Sequence, residues 1–305
     1  MSLTSHHEAR SLSGAAADVT TKAARRRSYL GTLRRQPAVL LALVPALTFF
    51  CAFWLLPFTR LVAMGMQPDK NSGMIAYWAV VAQPQYLYSL LWTLLVSIGV
   101  SLLAVATAGV AGFFLARNRF RGKAMLVAML TFPLAFPGVV VGFLVIMLGG
   151  RQGALAQFSM LLFGERWMFA YSLAGLFVGY LYFSIPRVIT TVMAACEKLD
   201  VSLEEAARSL GAGTWRVTRD VIVPALSPAL ISTGAICFAT SMGAFGTAFT
   251  LGTRMSVLPL SIYSEFTNYA NFTMAAALSV TLGVITWIAL SFARRLAGGS
   301  LGASA

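Results

Sequence analysis

Residues 91–116 read LWTLLVSIGVSLLAVATAGVAGFFLA, 26 positions without an Asp, Glu, Lys, Arg or His. An α-helix gains 1.5 Å per residue, so this block reaches about 39 Å and spans a hydrocarbon core of roughly 30 Å. The stretch therefore reads as a transmembrane helix that begins near Tyr86. Further apolar blocks lie on either side of it, separated by short polar segments. The reading predicts six spans, at about 38–59, 87–116, 124–149, 167–186, 228–250 and 274–293.

Composition excludes the alternative classes. The chain has 305 residues, of which 58% are hydrophobic and only 11% charged, with a mean hydropathy of +0.77. A water-soluble domain carries about twice that share of charge. The net charge of +13 invites a nucleic-acid reading. Its distribution argues against one. Arg25, Arg26, Arg27, Arg34 and Arg35 stand just before the first apolar block, and most other basic residues also flank apolar blocks. That is how basic residues fix membrane topology. With the N-terminus inside, 18 of the 23 Lys and Arg fall in cytoplasmic segments, and only Arg60, Lys70, Arg151, Arg166 and Arg254 fall outside.

The expected fold is an all-α, polytopic membrane helix bundle with both termini cytoplasmic. Residues 1–36 form a basic, largely disordered cytoplasmic tail, and residues 37–305 form the membrane domain. No charged residue falls inside the proposed span interiors, which disfavours proton relays and favours a passive conduit worked from outside. Cys51, Cys196 and Cys237 lack metal-ligand spacing and read as reduced thiols. The tail residues His6 and His7 carry no metal reading, and no cofactor is expected. Acid–base and nucleophilic constellations are absent, so the chain is not expected to be an enzyme.

The longest cytoplasmic connection, from about Arg187 to Pro228 with a coupling loop at 197–227, is organised. Ser202 and Glu205 have capping-box spacing. Leu203, Ala206, Ala207 and Leu210 fall at i, i+3, i+4 and i+7 on one face. Glu204 and Arg208 are spaced as a salt-bridge pair. Gly211 or Gly213 supplies a left-handed stop, and Thr214 starts a second short helix that closes at Pro224. One reading is an amphipathic loop on the headgroups; the other is a docking element for a cytosolic partner.

Glu205-Ala206-Ala207, Gly211 four residues on, and Val221-x-Val223-Pro224 together resemble the EAA motif of binding-protein-dependent ABC importer permeases. Every spacing of that motif matches, and Val221 and Val223 replace Ile and Leu. The resemblance covers residues 85–295. It implies a permease subunit in the bacterial inner membrane that couples to a cytosolic ATPase dimer. Glu204, Glu205, Ala206, Ala207, Arg208, Gly211 and Pro224 would lie in the coupling element. It also implies a second permease subunit, preferably a sibling in a heterodimer, and a periplasmic solute-binding protein. The chain has no phosphate loop of its own, so the ATPase activity belongs to a partner. Within the family the chain looks closest to the polyamine, ferric iron, sulfate and phosphonate group, and its basic tail before an extra span resembles polyamine permeases. The rivals are a six-span secondary carrier and a non-transporting membrane scaffold.

For the path itself the residues leave two readings open. Ser241, Gly243, Phe245, Gly246 and Thr247 form a glycine-dense run that either allows close helix packing or breaks the helix beside the pathway. In the second case Phe245 is a hydrophobic gate, with Ser241 and Thr247 as polar contacts. Pro133 and Pro137 could kink the third span, and Arg254 and Glu265 lie in the last external loop, where a solvated surface is the default.

Overall fold

A computed structural model describes residues 37–252 and 256–302, with side chains described over 43–252 and 256–297. The tail with His6 and His7, and Arg254, lie outside the described residues. Met1–Arg60 and Leu61–Ala305 form two compact units.

In the first unit, helix α1 (Pro37–Phe50) runs into a π-helical turn at Cys51–Leu55. Aromatic residues four apart stack along it. Phe49 lies against Phe53, and Trp54 lies between Phe50 and Phe58 with ring centroids 4.9 and 5.4 Å away. Helix α2 (Leu56–Gly65) follows.

The second unit continues with α3 (Ala76–Ala82), α4 (Pro84–Arg117), α5 (Lys123–Thr131), α6 (Gly138–Gly149), α7 (Ala154–Phe163) and α8 (Leu173–Glu197). It then holds α9 (Val201–Ser209), α10 (Thr214–Val217), α11 (Val223–Met242), α12 (Phe245–Leu251), α13 (Leu258–Tyr263) and α14 (Phe272–Gly302). Among the described residues there is no strand beyond a single Pro68–Ile75 bridge. Six helical stretches are long and apolar enough to cross a membrane: Leu43–Gly65, Pro84–Arg117, Gly138–Phe163, Leu173–Glu197, Thr214–Met242 and Phe272–Ala297.

The central packing is α4 against α8, the two running in the same direction. Near the Arg117 end, Ala104, Ala108 and Leu115 meet Val188, Ile189 and Val192. Further along, Val96 and Val100 meet Leu176 and Tyr180. The helices approach closely because the contact residues are small. A Cβ on Gly112 would stand 3.0 Å from the Ile189 carbonyl oxygen. Lipid offers no hydrophobic drive between helices, so such contact area is what holds them together. At the opposite, Asp69 end, the small residues Ala76, Ala79 and Ala277 let α3 and α14 pack around Tyr86, Leu258 and Met274. The Thr93 hydroxyl buried there is paired on both sides: it accepts from the Leu258 amide at 2.7 Å and donates to the Ser89 carbonyl at 2.7 Å.

Four expectations are corrected. The third span is not one helix. A 3-10 turn at Phe132–Ala135 and extended backbone at Phe136 and Pro137 separate α5 from α6. Pro133 and Pro137 cannot donate backbone hydrogen bonds, so the chain breaks rather than bends. The fourth span does not end at Arg187. Helix α8 continues to Glu197 because Val188, Ile189 and Val192 are core residues, and it begins only at Leu173, beyond Trp167. The fifth span breaks at Gly243 and Ala244, between α11 and α12. Finally, Pro224 closes nothing. Helix α10 passes through a π-helical turn at Thr218–Ile222 into α11, and Pro224 sits in its first turn, where a missing amide costs little.

Candidate functional site

The sequence-predicted docking residues lie together at the Arg117 end. Helix α9 starts at Asp200, not Ser202. The Asp200 carboxylate accepts from the Ser202 amide at 2.9 Å, and that hydrogen bond holds its pKa below the ordinary carboxylate value. Ser202 is therefore the second helical residue, and the reciprocal Ser202–Glu205 box does not form. A carboxylate at the N-cap satisfies the free amide and also favours the positive end of the helix dipole.

The pairing of Glu204 with Arg208 is also corrected. Glu204 is buried and its Oε1 accepts from Arg117 Nη2 at the end of α4, while Arg208 is exposed. A partner held in the core wins over a flexible surface neighbour. The Arg117 guanidinium also lies over the Phe113 ring, 5.8 Å from its centroid. Val217, Ile222 and Leu226 pack with Leu115 and Cys196 in the same cluster, with Ala207 and Ala212 at its edge. The whole element is thus bolted to α4 and α8.

The remaining face is bare. Leu203 and Ala206 are exposed, Leu210 is 90% exposed and Trp215 is 75% exposed. Of the apolar stripe read from the sequence, Leu203, Ala206 and Leu210 therefore point away from this chain's own core, while Ala207 packs at its edge. Gly211 has φ +81°, a left-handed conformation that closes α9, and the Ala212 amide returns to the Ala207 carbonyl at 3.1 Å. Glu205 is exposed beside Ala206, and Val223 and Pro224 are exposed as well.

The other sequence-predicted residues lie around the α11–α12 break. The helix is broken, and the pieces also pack closely. A Cβ on Gly142 would sit 2.6 Å from the Thr250 Cβ, and one on Gly246 would sit 3.0 Å from the Val139 amide nitrogen. The Thr247 hydroxyl donates to the Gly138 carbonyl at 3.0 Å. The Tyr180 hydroxyl donates to the Ala244 carbonyl at 2.8 Å, satisfying an acceptor that the break sets free. Ser241 is fully buried.

Phe245 and Thr247, with Gly243 and Gly246, line a cavity of about 450 Å³ between the break, the start of α6 and the middle of α8. Ser241 is not among its lining residues. Arg187 is. Sequence reading missed it by assigning it to a cytoplasmic loop; the buried valines and isoleucine beyond it were the signal that the helix runs on.

At the Asp69 end, Glu265 is buried rather than solvated. Its Oε1 accepts from the Tyr86 hydroxyl at 2.8 Å, and it lines a polar pocket of about 290 Å³ with Asn71 and Ser264.

Comparison with known proteins bears on this arrangement. The family described as "Binding-protein-dependent transport system inner membrane component" matches residues 108–298. The chain is 32% identical over 278 residues to the sulfate transport system permease protein CysT of Salmonella typhimurium, covering 86% of this chain and 96% of that protein. It is 34% identical over 211 residues to the molybdenum transport system permease protein ModB of Escherichia coli, covering 67% and 91% respectively. Its fold resembles a chain of a bacterial alginate ABC transporter solved with an alginate pentasaccharide-bound periplasmic protein. The TM-score is 0.72 at 16% identity, covering 88% of this chain and 97% of that one.

Proposed function

Because this chain belongs to the binding-protein-dependent transport system inner membrane components, as a multi-pass permease subunit of an ABC importer in the bacterial inner membrane, we propose that it carries an inorganic oxyanion of the sulfate or molybdate class. The family membership sets aside the secondary-carrier and scaffold readings. The relatives at 32% and 34% identity belong to sulfate and molybdenum systems, which supports an oxyanion in place of a polyamine.

The observation that carries the mechanism is the bare apolar stripe of α9. Leu203, Ala206 and Leu210 face solvent on a helix whose opposite side is anchored by Glu204 to Arg117. An exposed apolar stripe with small residues fits a cleft on a partner. That partner is a pair of cytosolic ATPase subunits, so the Arg117 end faces the cytoplasm, in keeping with its density of Lys and Arg. The same excess of Lys and Arg assigns both chain termini to the cytoplasm, residues 1–36 included. Glu205, Ala206, Ala207, Arg208 and Gly211 contribute to the socket contact. Glu204 anchors it from within, and the exposed Pro224 borders it.

ATP binding draws the ATPase pair together and moves α9. Because α9 is fastened to α4 and is joined through α10 to α11, the movement reaches the α11–α12 break. There Phe245 and Thr247 border the path that this chain shares with a second permease. A periplasmic binding protein delivers cargo at the Asp69 end. Shifting a conduit from 1:99 to 99:1 between two states takes roughly 5.5 kcal/mol, supplied by ATP through this contact.

The test is reconstitution of the permease pair, the ATPase and the binding protein in liposomes. ATP-dependent accumulation of labelled sulfate or molybdate that survives a protonophore supports the reading. Accumulation of neither anion overturns the substrate assignment. Retention of the ATPase by an Ala206→Arg permease would overturn the docking assignment.

A further inference from the structure

Arg187 is a cation in the middle of a membrane-spanning helix. It lies 14 residues from Leu173 and 10 from Glu197, which at 1.5 Å per residue is about 21 and 15 Å from the ends of α8. Inserting an arginine at such a depth costs about 2.5–3.5 kcal/mol, and a side chain kept against that cost has a use.

Its surroundings do not neutralise it. Its only side-chain hydrogen bond among the described residues is from Nη1 to the Thr240 hydroxyl, at 2.8 Å. No carboxylate lies within ion-pair distance among those residues, where the ion pairs are Arg117–Glu204 and Arg219–Asp220. The absence extends to the sequence: between Leu173 and Met242 every Asp and Glu falls at 197–220, beyond the end of the crossing. A guanidinium has five N–H donors in a planar fork, so most of its donors have no protein partner. Thr240 is itself tied back, donating to the Ile236 carbonyl at 2.9 Å, and so holds the fork in place.

The donors border the cavity of about 450 Å³, which is also lined by Gly243, Gly246 and Thr247. A water in bulk occupies about 30 Å³, so the space admits an anion with part of its hydration shell. The wall is mixed: Leu134, Val139 and three phenylalanines alternate with Arg187, two threonines and the glycine backbone of the helix break, so the charged group is the one strong recognition element in it.

We propose that Arg187 is the anion-recognising residue of the translocation path. In this role the guanidinium, positioned by Thr240, pairs transiently with a tetrahedral oxyanion as it passes the α11–α12 break. The missing counter-ion is then the cargo itself. A fixed carboxylate would compete with the cargo, and a stronger cage would hold it. One fork-shaped donor, held in place by a hydroxyl that accepts from it, offers a partner that binds and releases. The same cation would repel a polyamine. The assignment rests on the oxyanion reading given above.

The test uses the intact complex of both permeases and the ATPase, without nucleotide, and follows equilibrium binding of labelled molybdate and sulfate. ATP-driven uptake with the binding protein is measured in parallel. Arg187→Gln is expected to weaken anion binding at least tenfold and to cut uptake at least tenfold, with binding-protein-stimulated ATP hydrolysis retained. Arg187→Lys, which keeps the charge but not the planar fork, is expected to fall between. Should Arg187→Gln fail to assemble, the Lys variant carries the test: binding equal to the parent's overturns the assignment. Wild-type behaviour of an assembled Arg187→Gln complex overturns it too, leaving the oxyanion reading standing. A parent complex that moves neither anion removes both.

Discussion

Glu204 and Arg117 are 87 residues apart in sequence, yet their side chains pair at the junction of α9 with α4. The pair is only partly screened, with 24% of the arginine side chain and 10% of the glutamate side chain exposed. It ties α9, whose outer face is bare, to the 34-residue α4. Force applied to α9 therefore reaches α4 through a charge-assisted contact.

Removing one partner leaves the other stranded in a half-dry site. Glu204→Ala or Arg117→Ala is expected to lower stability by about 1–3 kcal/mol and to reduce ATP-driven uptake more than ATP hydrolysis. The exchange Arg117→Glu with Glu204→Arg should recover part of both. Thermal unfolding and uptake of the two singles and the double measure this; additive losses in the double would show that the pair is not coupled.

Gly211 closes α9 at φ +81° with open space where a Cβ would stand. A substitution there strains the backbone without touching a neighbour. Gly211→Val is expected to cost about 1–2 kcal/mol and to weaken retention of the ATPase. Gly211→Asn, which tolerates the left-handed region, should keep most of the association. Co-purification of the ATPase with each variant distinguishes them; equal retention by Val and Asn would remove the backbone argument.

Gly142 and Gly283 make a matched pair of opposite sign. A Cβ on Gly142 would fall 2.6 Å from the Thr250 Cβ, whereas one on Gly283 meets nothing within 4 Å. Gly142→Val should destabilise by about 1–3 kcal/mol, prising α6 from α12. Gly283→Ala should be neutral or stabilise by up to about 1 kcal/mol, because alanine favours a helix interior. Unfolding midpoints in one detergent read both. A destabilised Gly283→Ala would point to a contact on that exposed side of α14.

Acid is expected to loosen the Asp69 end. Burial alone would push the Asp69 carboxyl up, but hydrogen bonds from Asn271 and Ser72 outweigh it and hold the group below the usual carboxylate value. Those bonds are 2.7 Å from Asn271 Nδ2, and 2.8 Å from both the amide and the hydroxyl of Ser72. The folded protein thus binds this proton less readily than the unfolded chain. The resulting stability is complete above the ordinary carboxylate pKa near about 3.9, and is lost as pH falls through the lower folded value. Thermal unfolding from pH 7 to 3 should show an acid-side decline that Asn271→Leu diminishes; an identical slope in both would exclude this clasp as its source.

Much of this was legible in the order of residues. Runs such as 91–116 exceed the membrane's thickness without a charge, and a membrane admits only helix for such a run, so the class of fold follows from solvent physics alone. Glu205-Ala206-Ala207, Gly211 and Pro224 were legible as a motif because their spacing is local, and local spacing fixes which residues share a helix face. The tertiary structure alone decided where charges go. Sequence spacing offers Arg208 to Glu204, but burial gives it Arg117. A charge marks a span's end by default, so Arg187 read as cytoplasmic, whereas the core contacts of Val188, Ile189 and Val192 carry the helix past it. Whether an arginine ends a helix or serves inside one depends on what the neighbouring helices leave open beside it, and that space exists only after they have packed.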